Sequence, residues 1–159
     1  MFREMRRKNQ ALSREECVDI LNRATSGTLA VSGDDGYPYA VPLSFVYNDN
    51  KIIFHCAKKG HKIDAIRRSD KVSFCVIDAD DVVPEEFTTY FRSVIVFGRA
   101  RILENDEIRA AINTLSEKYD FGDYDARKRE IDKFFPALCM VEISVEHMTG
   151  KEAIELKAK

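Results

Sequence analysis

The chain has 159 residues, of which 45% are hydrophobic and 33% charged, and its net charge is −2. These values describe one ordinary globular domain, 1–159, with a real core, and exclude a disordered chain. They also exclude general nucleic-acid binding, which needs a basic face, and a membrane span, which needs about 20 consecutive apolar residues.

The opening MFREMRRKNQ has no apolar run, so no secretory leader is expected. Ser13, with Glu16 three residues on, forms a capping box for a first helix whose apolar stripe is Cys17, Ile20, Leu21 and Ala24. Thr25-Ser26-Gly27 ends it. Thr28–Ser32 reads as a short strand, and Asp34-Asp35-Gly36 as a hairpin turn. Tyr37–Tyr47 is the returning strand. Pro38 and Pro42 within it forbid a fully paired central position, so it is an edge, bulged, or paired on one side. Such a strand either leaves main-chain groups free for a ligand or protects an exposed edge; both readings stay open.

Lys51–Cys56 is a third strand, β-branched and aromatic at Ile52-Ile53-Phe54. It runs into Lys58-Lys59-Gly60-His61-Lys62 and a short helix ending at Arg67-Arg68. Five Lys or Arg against one Asp between Lys58 and Arg68 give a local charge of +4 in an acidic chain. Cations at a helix N-terminus after a glycine turn make a phosphate site; a solvated basic helix is the plainer alternative. A strand over Lys71–Ile77, an acidic loop over Asp78–Glu86 and a long strand over Tyr90–Leu103 follow, with Gly98 marking a bulge or a close backbone approach. Glu104–Tyr119 is helical. Asp120–Lys133 is a loop with a short helix, Ala137–Val145 is a last strand, and the tail from Lys151 is polar and loose.

Cys17, Cys56, Cys75 and Cys139 form no C-x-x-C pair and read as buried free thiols in a reducing cytosol. His55, His61 and His147 lack metal-ligand spacing, so no metal site is expected. About six strands at hairpin spacing, without a βαβ rhythm, predict a mainly β fold: a small antiparallel barrel with flanking helices.

Four segments in register resemble a known family: Gly27–Val31; Gly36–Leu43; Phe54-His55-Cys56-Ala57 with Gly60-His61-Lys62; and Ser93–Ala100. Their order and spacing are similar to the FMN-binding split-barrel superfamily of pyridoxamine 5′-phosphate oxidase, and most to its nitroimidazole-resistance (Nim) type branch. The resemblance implies a six-stranded Greek-key split barrel and a homodimer with FMN at the subunit interface. It implies that Lys62, His61 and Lys59 hold the phosphate. Thr28, Val41, Pro42 and Leu43 would lie along the isoalloxazine, with His55 near it. The phosphate motif departs from the oxidase's own Ser-Arg-Lys, which speaks against pyridoxamine phosphate as substrate.

FMN needs a cationic cradle, an apolar slot and a few amides, which the basic turn and the proline-interrupted strand can offer. The expected activity is FMN-dependent reduction of a small electrophile such as a nitro-aromatic. The absence of G-x-G-x-x-G makes NAD(P)H a transient electron donor. His55 either serves catalysis or packs against the cofactor. An oxidase of a small amine or haem-like substrate, and a flavin-binding protein without turnover, are the alternatives.

Overall fold

The computed structural model describes residues 1–120 and 122–157. A two-residue strand β1 (Ala11–Leu12) precedes helix α1 (Arg14–Arg23). The capping box is formed: Ser13 Oγ accepts the Glu16 amide at 3.2 Å, and the Glu16 carboxylate accepts the Ser13 amide at 2.6 Å. Strands β2 (Ser26–Ser32), β3 (Pro38–Ser44), β4 (Val46–Asn48) and β5 (Lys51–Ala57) lead to helix α2 (His61–Arg68). Two long strands, β6 (Lys71–Val83) and β7 (Thr88–Ile102), precede α3 (Asp106–Lys118) and α4 (Tyr124–Phe134). Strand β8 (Leu138–Glu152) and a final turn of helix, α5 (Ile154–Lys157), complete the described chain.

The strands form one antiparallel sheet in the order β3-β2-β6-β7-β8-β5-β4, with β1 on β8. Its two ends, β3 and β4, are consecutive in the chain and separated only by Phe45. The sheet therefore curls until its edges meet, and the barrel is joined there by one covalent residue rather than by a ladder. Alternation along each strand places Leu29, Val31, Ile52, Phe54, Phe74, Val76, Val94 and Val96 inside, and Cys17, Ile20 and Leu21 of α1 and Ile63 and Ile66 of α2 pack onto them. A second cluster lies outside the barrel, where Ala111, Ile112 and Leu115 of α3 cover Val46, Ile53 and Met140. No helix among the described residues is long and apolar enough to cross a membrane.

The mainly β antiparallel expectation holds, with eight strands rather than six among the described residues. The predicted strand Tyr37–Tyr47 is two strands. It breaks at buried Phe45, whose amide donates to Tyr119 Oη at 3.2 Å and whose carbonyl lies 2.7 Å from the same hydroxyl. Asp78–Glu86 is mostly strand, not loop, because β6 and β7 continue past a bulge after Ile77 as a paired arm. Asp78 is held there by Arg23 at 2.6 Å and Arg92 at 3.5 Å. The last strand runs seven residues beyond Val145, so the start of the polar tail belongs to the sheet; residues 158 and 159 lie outside the described residues. Gly98 carries both features expected of it. The β7–β8 register shifts between Phe97 and Gly98, and a Cβ at Gly98 would fall 2.3 Å from the Ser144 carbonyl oxygen.

Candidate flavin site

The site is built from an edge strand, the end of another strand and a helix start. β3 pairs only with β2, in a register that sets Pro42 opposite Thr28 and Ala40 opposite Ala30. Pro38 and Pro42 donate no amide, which suits the edge and no central position. Side chains alternate along β3: Tyr39, Val41 and Leu43 pack against the barrel core, whereas Pro38, Ala40, Pro42 and Ser44 are exposed. Of the residues expected along a flavin ring, Pro42 thus presents its side chain outward. Val41 and Leu43 have only main-chain groups to offer there. Thr28 is half-buried on β2, between Pro42 and Cys75.

His55 is exposed near the end of β5, opposite Met140 of β8. Val46 faces Ile53 across β4 and β5, two residues before His55. Beside it, burial pushes the Cys56 thiol up to about 12, the neighbouring Cys139 adds to the rise, and the Lys62 ammonium opposes it. Lys62 is thereby placed within electrostatic reach of the end of β5.

The basic turn separates by role. Gly60, the N-cap of α2, has φ 135°, a conformation that L side chains rarely adopt, and open space where a Cβ would stand. It offers no side chain to the amides of the first turn, which have no intrahelical acceptor. Lys58 donates to the Pro136 carbonyl at 2.6 Å and ties the turn to the segment before β8. Arg67 pairs with Asp64 at 3.9 Å and Arg68 with Asp34 at 2.7 Å. Lys59 and Lys62 form no salt bridge among the described residues, and they remain for an anion.

His61 is placed differently from the expected phosphate ligand. Its ring lies against Tyr39, centroids 4.1 Å apart, and its Nε2 is buried 3.7 Å from Asp34 Oδ2 without a hydrogen-bond partner. It faces the β2–β3 turn and joins α2 to the edge strand. Its amide, rather than its ring, is available at the helix N-terminus. The sequence pattern shows that His61 begins a helix; it does not show which neighbour the ring meets.

A model of the pyridoxamine 5′-phosphate oxidase family matches residues 13–152. The chain belongs to that family. Solved structures share the architecture. A conserved hypothetical protein from Mycobacterium tuberculosis is 25% identical, with a TM-score of 0.80 over 94% of this chain and 90% of that one. A FAD-binding protein from Mesorhizobium loti is 25% identical, with a TM-score of 0.65 over 91% and 97%. A protein described as a 5-nitroimidazole antibiotic resistance protein, from Bacteroides thetaiotaomicron, is 21% identical, with a TM-score of 0.73 over 89% and 86%. None of the curated proteins compared with the chain matches it. The family is thus the one that the four segments resemble, and its split-barrel fold is the one described above.

The residues fit a phosphorylated flavin on three counts: two cations without salt bridges, an uncapped helix start after Gly60, and an edge strand with free main-chain groups. Their mutual placement rests on the Tyr39–His61 contact.

Proposed function

We propose that the protein is an FMN-dependent reductase of small electrophiles such as nitro-aromatics, supplied with electrons by NAD(P)H. The observation that carries this reading is the junction of the basic turn with the proline-bearing edge of β3, made through Tyr39 and His61. Two similarities support it: the FAD-binding protein of Mesorhizobium loti shares the fold, and so does the Bacteroides thetaiotaomicron protein described by nitroimidazole resistance.

Lys59 and Lys62 hold the phosphate with the first amides of α2, since a dianion at a helix N-terminus meets both donors and a favourable dipole. Main-chain groups of Val41, Pro42 and Leu43 orient the polar edge of the ring, and Thr28 flanks it. When bound, the flavin supplies hydride acceptance and donation. His55 donates a hydrogen bond to a nitro or carbonyl oxygen as that oxygen gains charge. With no dinucleotide-binding fingerprint, the nicotinamide cofactor visits the exposed face transiently.

The working unit is a homodimer with flavin at the interface. Ile77, Ile95 and Phe97 are 67%, 41% and 40% exposed on the outer face of β6 and β7, an apolar stripe suited to burial against a second copy. Its compartment is the cytosol, where four unpaired thiols stay reduced.

The test is anaerobic. Purified protein reconstituted with FMN is mixed with NADH or NADPH and a nitroimidazole, while flavin absorbance and nitro-group loss are followed. Reduction of the nitro group that needs both FMN and protein supports the proposal. Flavin that binds but stays oxidised with either nicotinamide overturns it, as does oxygen consumption driven by an amine in a separate aerobic assay.

A further inference from the structure

Beyond the bulge after Ile77 the β6–β7 arm is a two-stranded ribbon. Ala79–Val83 pairs with Thr88–Arg92, and β8 stops at its base, where Glu152 pairs with Arg92. A ribbon of two strands is marginally stable in water without further support. This one nevertheless turns apolar side chains to solvent: Val82 is 69% exposed, and Phe87 at the tip is 97% exposed. Phe87 also has φ 52°, a left-handed conformation uncommon for a bulky residue. The two extend the exposed apolar surface of Ile77, Ile95 and Phe97 beyond the barrel. No Lys or Arg lies between Asp78 and Phe91, and Asp80, Asp81 and Glu85 form no salt bridge among the described residues.

Further along β7, away from the arm, the same wall carries opposite features. The Phe2 ring stacks on Phe97, centroids 5.6 Å apart, and on His147 at 4.8 Å. The segment that follows it supplies Arg3, Arg6 and Arg7, all exposed and without a salt bridge among the described residues. Beside Phe2 a cavity of about 490 Å³ opens over the small side chains of Ala30 and Ser73, with Phe97 as one wall. Ala30 is two residues from Thr28, on the same face of β2.

A two-fold interface needs one patch that carries both halves of each contact. This wall carries both: an apolar knob on an acidic ribbon at one end, and a cavity beside a basic segment at the other. We propose that the β6–β7 arm is an interaction surface for a second copy of the chain, with Phe87 entering the cavity beside the partner's Phe2 and Asp80, Asp81 and Glu85 facing the partner's Arg3, the partner's Arg6 and the partner's Arg7. Each arm then sets an aromatic ring on the face of β2 that carries Thr28. The contact rests on the homodimer proposed above and names the surface that makes it. The buried ring supplies affinity. The opposite charges supply register and a salt-sensitive association rate.

Sedimentation velocity on the full chain tests the contact. Wild type should be dimeric at micromolar concentration. Phe87→Ser should weaken the dimer by roughly tenfold or more, the scale of an interface hot spot. Its side chain touches little in one protomer, so the variant should fold as wild type does. Reversing the ribbon's charge with Asp80→Lys and Asp81→Lys should also weaken the dimer, and adding Arg3→Glu and Arg6→Glu to that chain should restore it. A Phe87→Ser dimer as tight as wild type overturns the arm contact and leaves the homodimer standing, as does a charge reversal that costs nothing or is not rescued. A wild type that stays monomeric overturns the arm contact and the homodimer together. FMN binding and nitro-group reduction are read in separate assays, so the flavin reading stands or falls apart from the arm.

Discussion

The His61 imidazole lies against the Tyr39 ring, with centroids 4.1 Å apart and planes inclined by 34°. It joins the first residue of α2 to the interior of edge strand β3, and Arg68–Asp34 at 2.7 Å clamps the far end of the helix to the preceding turn. The basic turn is thereby held in register with the free edge. Tyr39→Leu keeps apolar volume and removes the ring pair. Stability should fall by ~0.5–1.5 kcal/mol in denaturant unfolding, and FMN affinity by about two- to tenfold if the turn feels all of it. Unchanged FMN affinity would mean that the turn is positioned without this contact.

The seam of the barrel depends on Tyr119. Its hydroxyl accepts the Phe45 amide and lies 2.7 Å from the Phe45 carbonyl and 2.8 Å from the Thr25 carbonyl. Next to it, Lys118 donates to the Leu21 and Ala24 carbonyls at the end of α1, and burial holds its pKa below the ordinary lysine value. Tyr119→Phe leaves the Phe45 amide without this partner and should cost ~1–3 kcal/mol, with little change in the far-ultraviolet spectrum. A thermal midpoint equal to wild type would show that the seam closes without the hydroxyl.

Legibility followed the range of the interactions. The Ser13–Glu16 cap, the Gly98 bulge, the edge position of the Pro38–Pro42 strand and the Gly60 turn are each set by residues within one short window, and each stands as read. The break at Phe45 is set by Tyr119, 74 residues on, and is invisible locally. The β6–β7 arm reads locally as an acidic loop, because Asp78 meets Arg23 and Arg92 only in the fold. The sequence predicts only a short helix within Asp120–Lys133, whereas α4 spans Tyr124–Phe134 with no residue fully buried and only Ile131 packed against the second cluster. At the site, the basic cluster was visible as a cluster. Which of its cations remain unpaired, and that His61 turns toward Tyr39, emerges only from long-range contacts.

Asp78 makes stability depend on pH. Hydrogen bonding from Arg23 holds its carboxyl below its ordinary value of 3.8. A depressed folded pKa gives stability that is present above the unfolded value and lost as pH falls through the folded one. Wild type should therefore exceed Asp78→Asn in stability at pH 7, and the two should converge below about pH 3.8. Parallel curves down to pH 2 would remove Asp78 from the account.

His55 separates catalysis from packing. His55→Gln should retain FMN yet slow electron transfer to a nitro-aromatic by on the order of a hundredfold, the contribution typical of a donor to a developing oxyanion. Stopped-flow on flavin-saturated protein distinguishes a slower transfer from cofactor loss. Wild-type rates in that assay would make His55 a packing residue.

A titration of flavin-free protein decides whether the basic turn holds a phosphate. Wild type and Lys62→Ala are titrated with FMN and riboflavin by flavin fluorescence, with Lys58→Ala as control because Lys58 is bonded to the Pro136 carbonyl. Lys62→Ala should weaken FMN by roughly ten- to a hundredfold, ~1.5–3 kcal/mol, while riboflavin binding stays unchanged and Lys58→Ala keeps wild-type FMN affinity. Equal affinity of wild type for FMN and riboflavin, or of wild type and Lys62→Ala for FMN, would contradict a phosphate held at the basic turn.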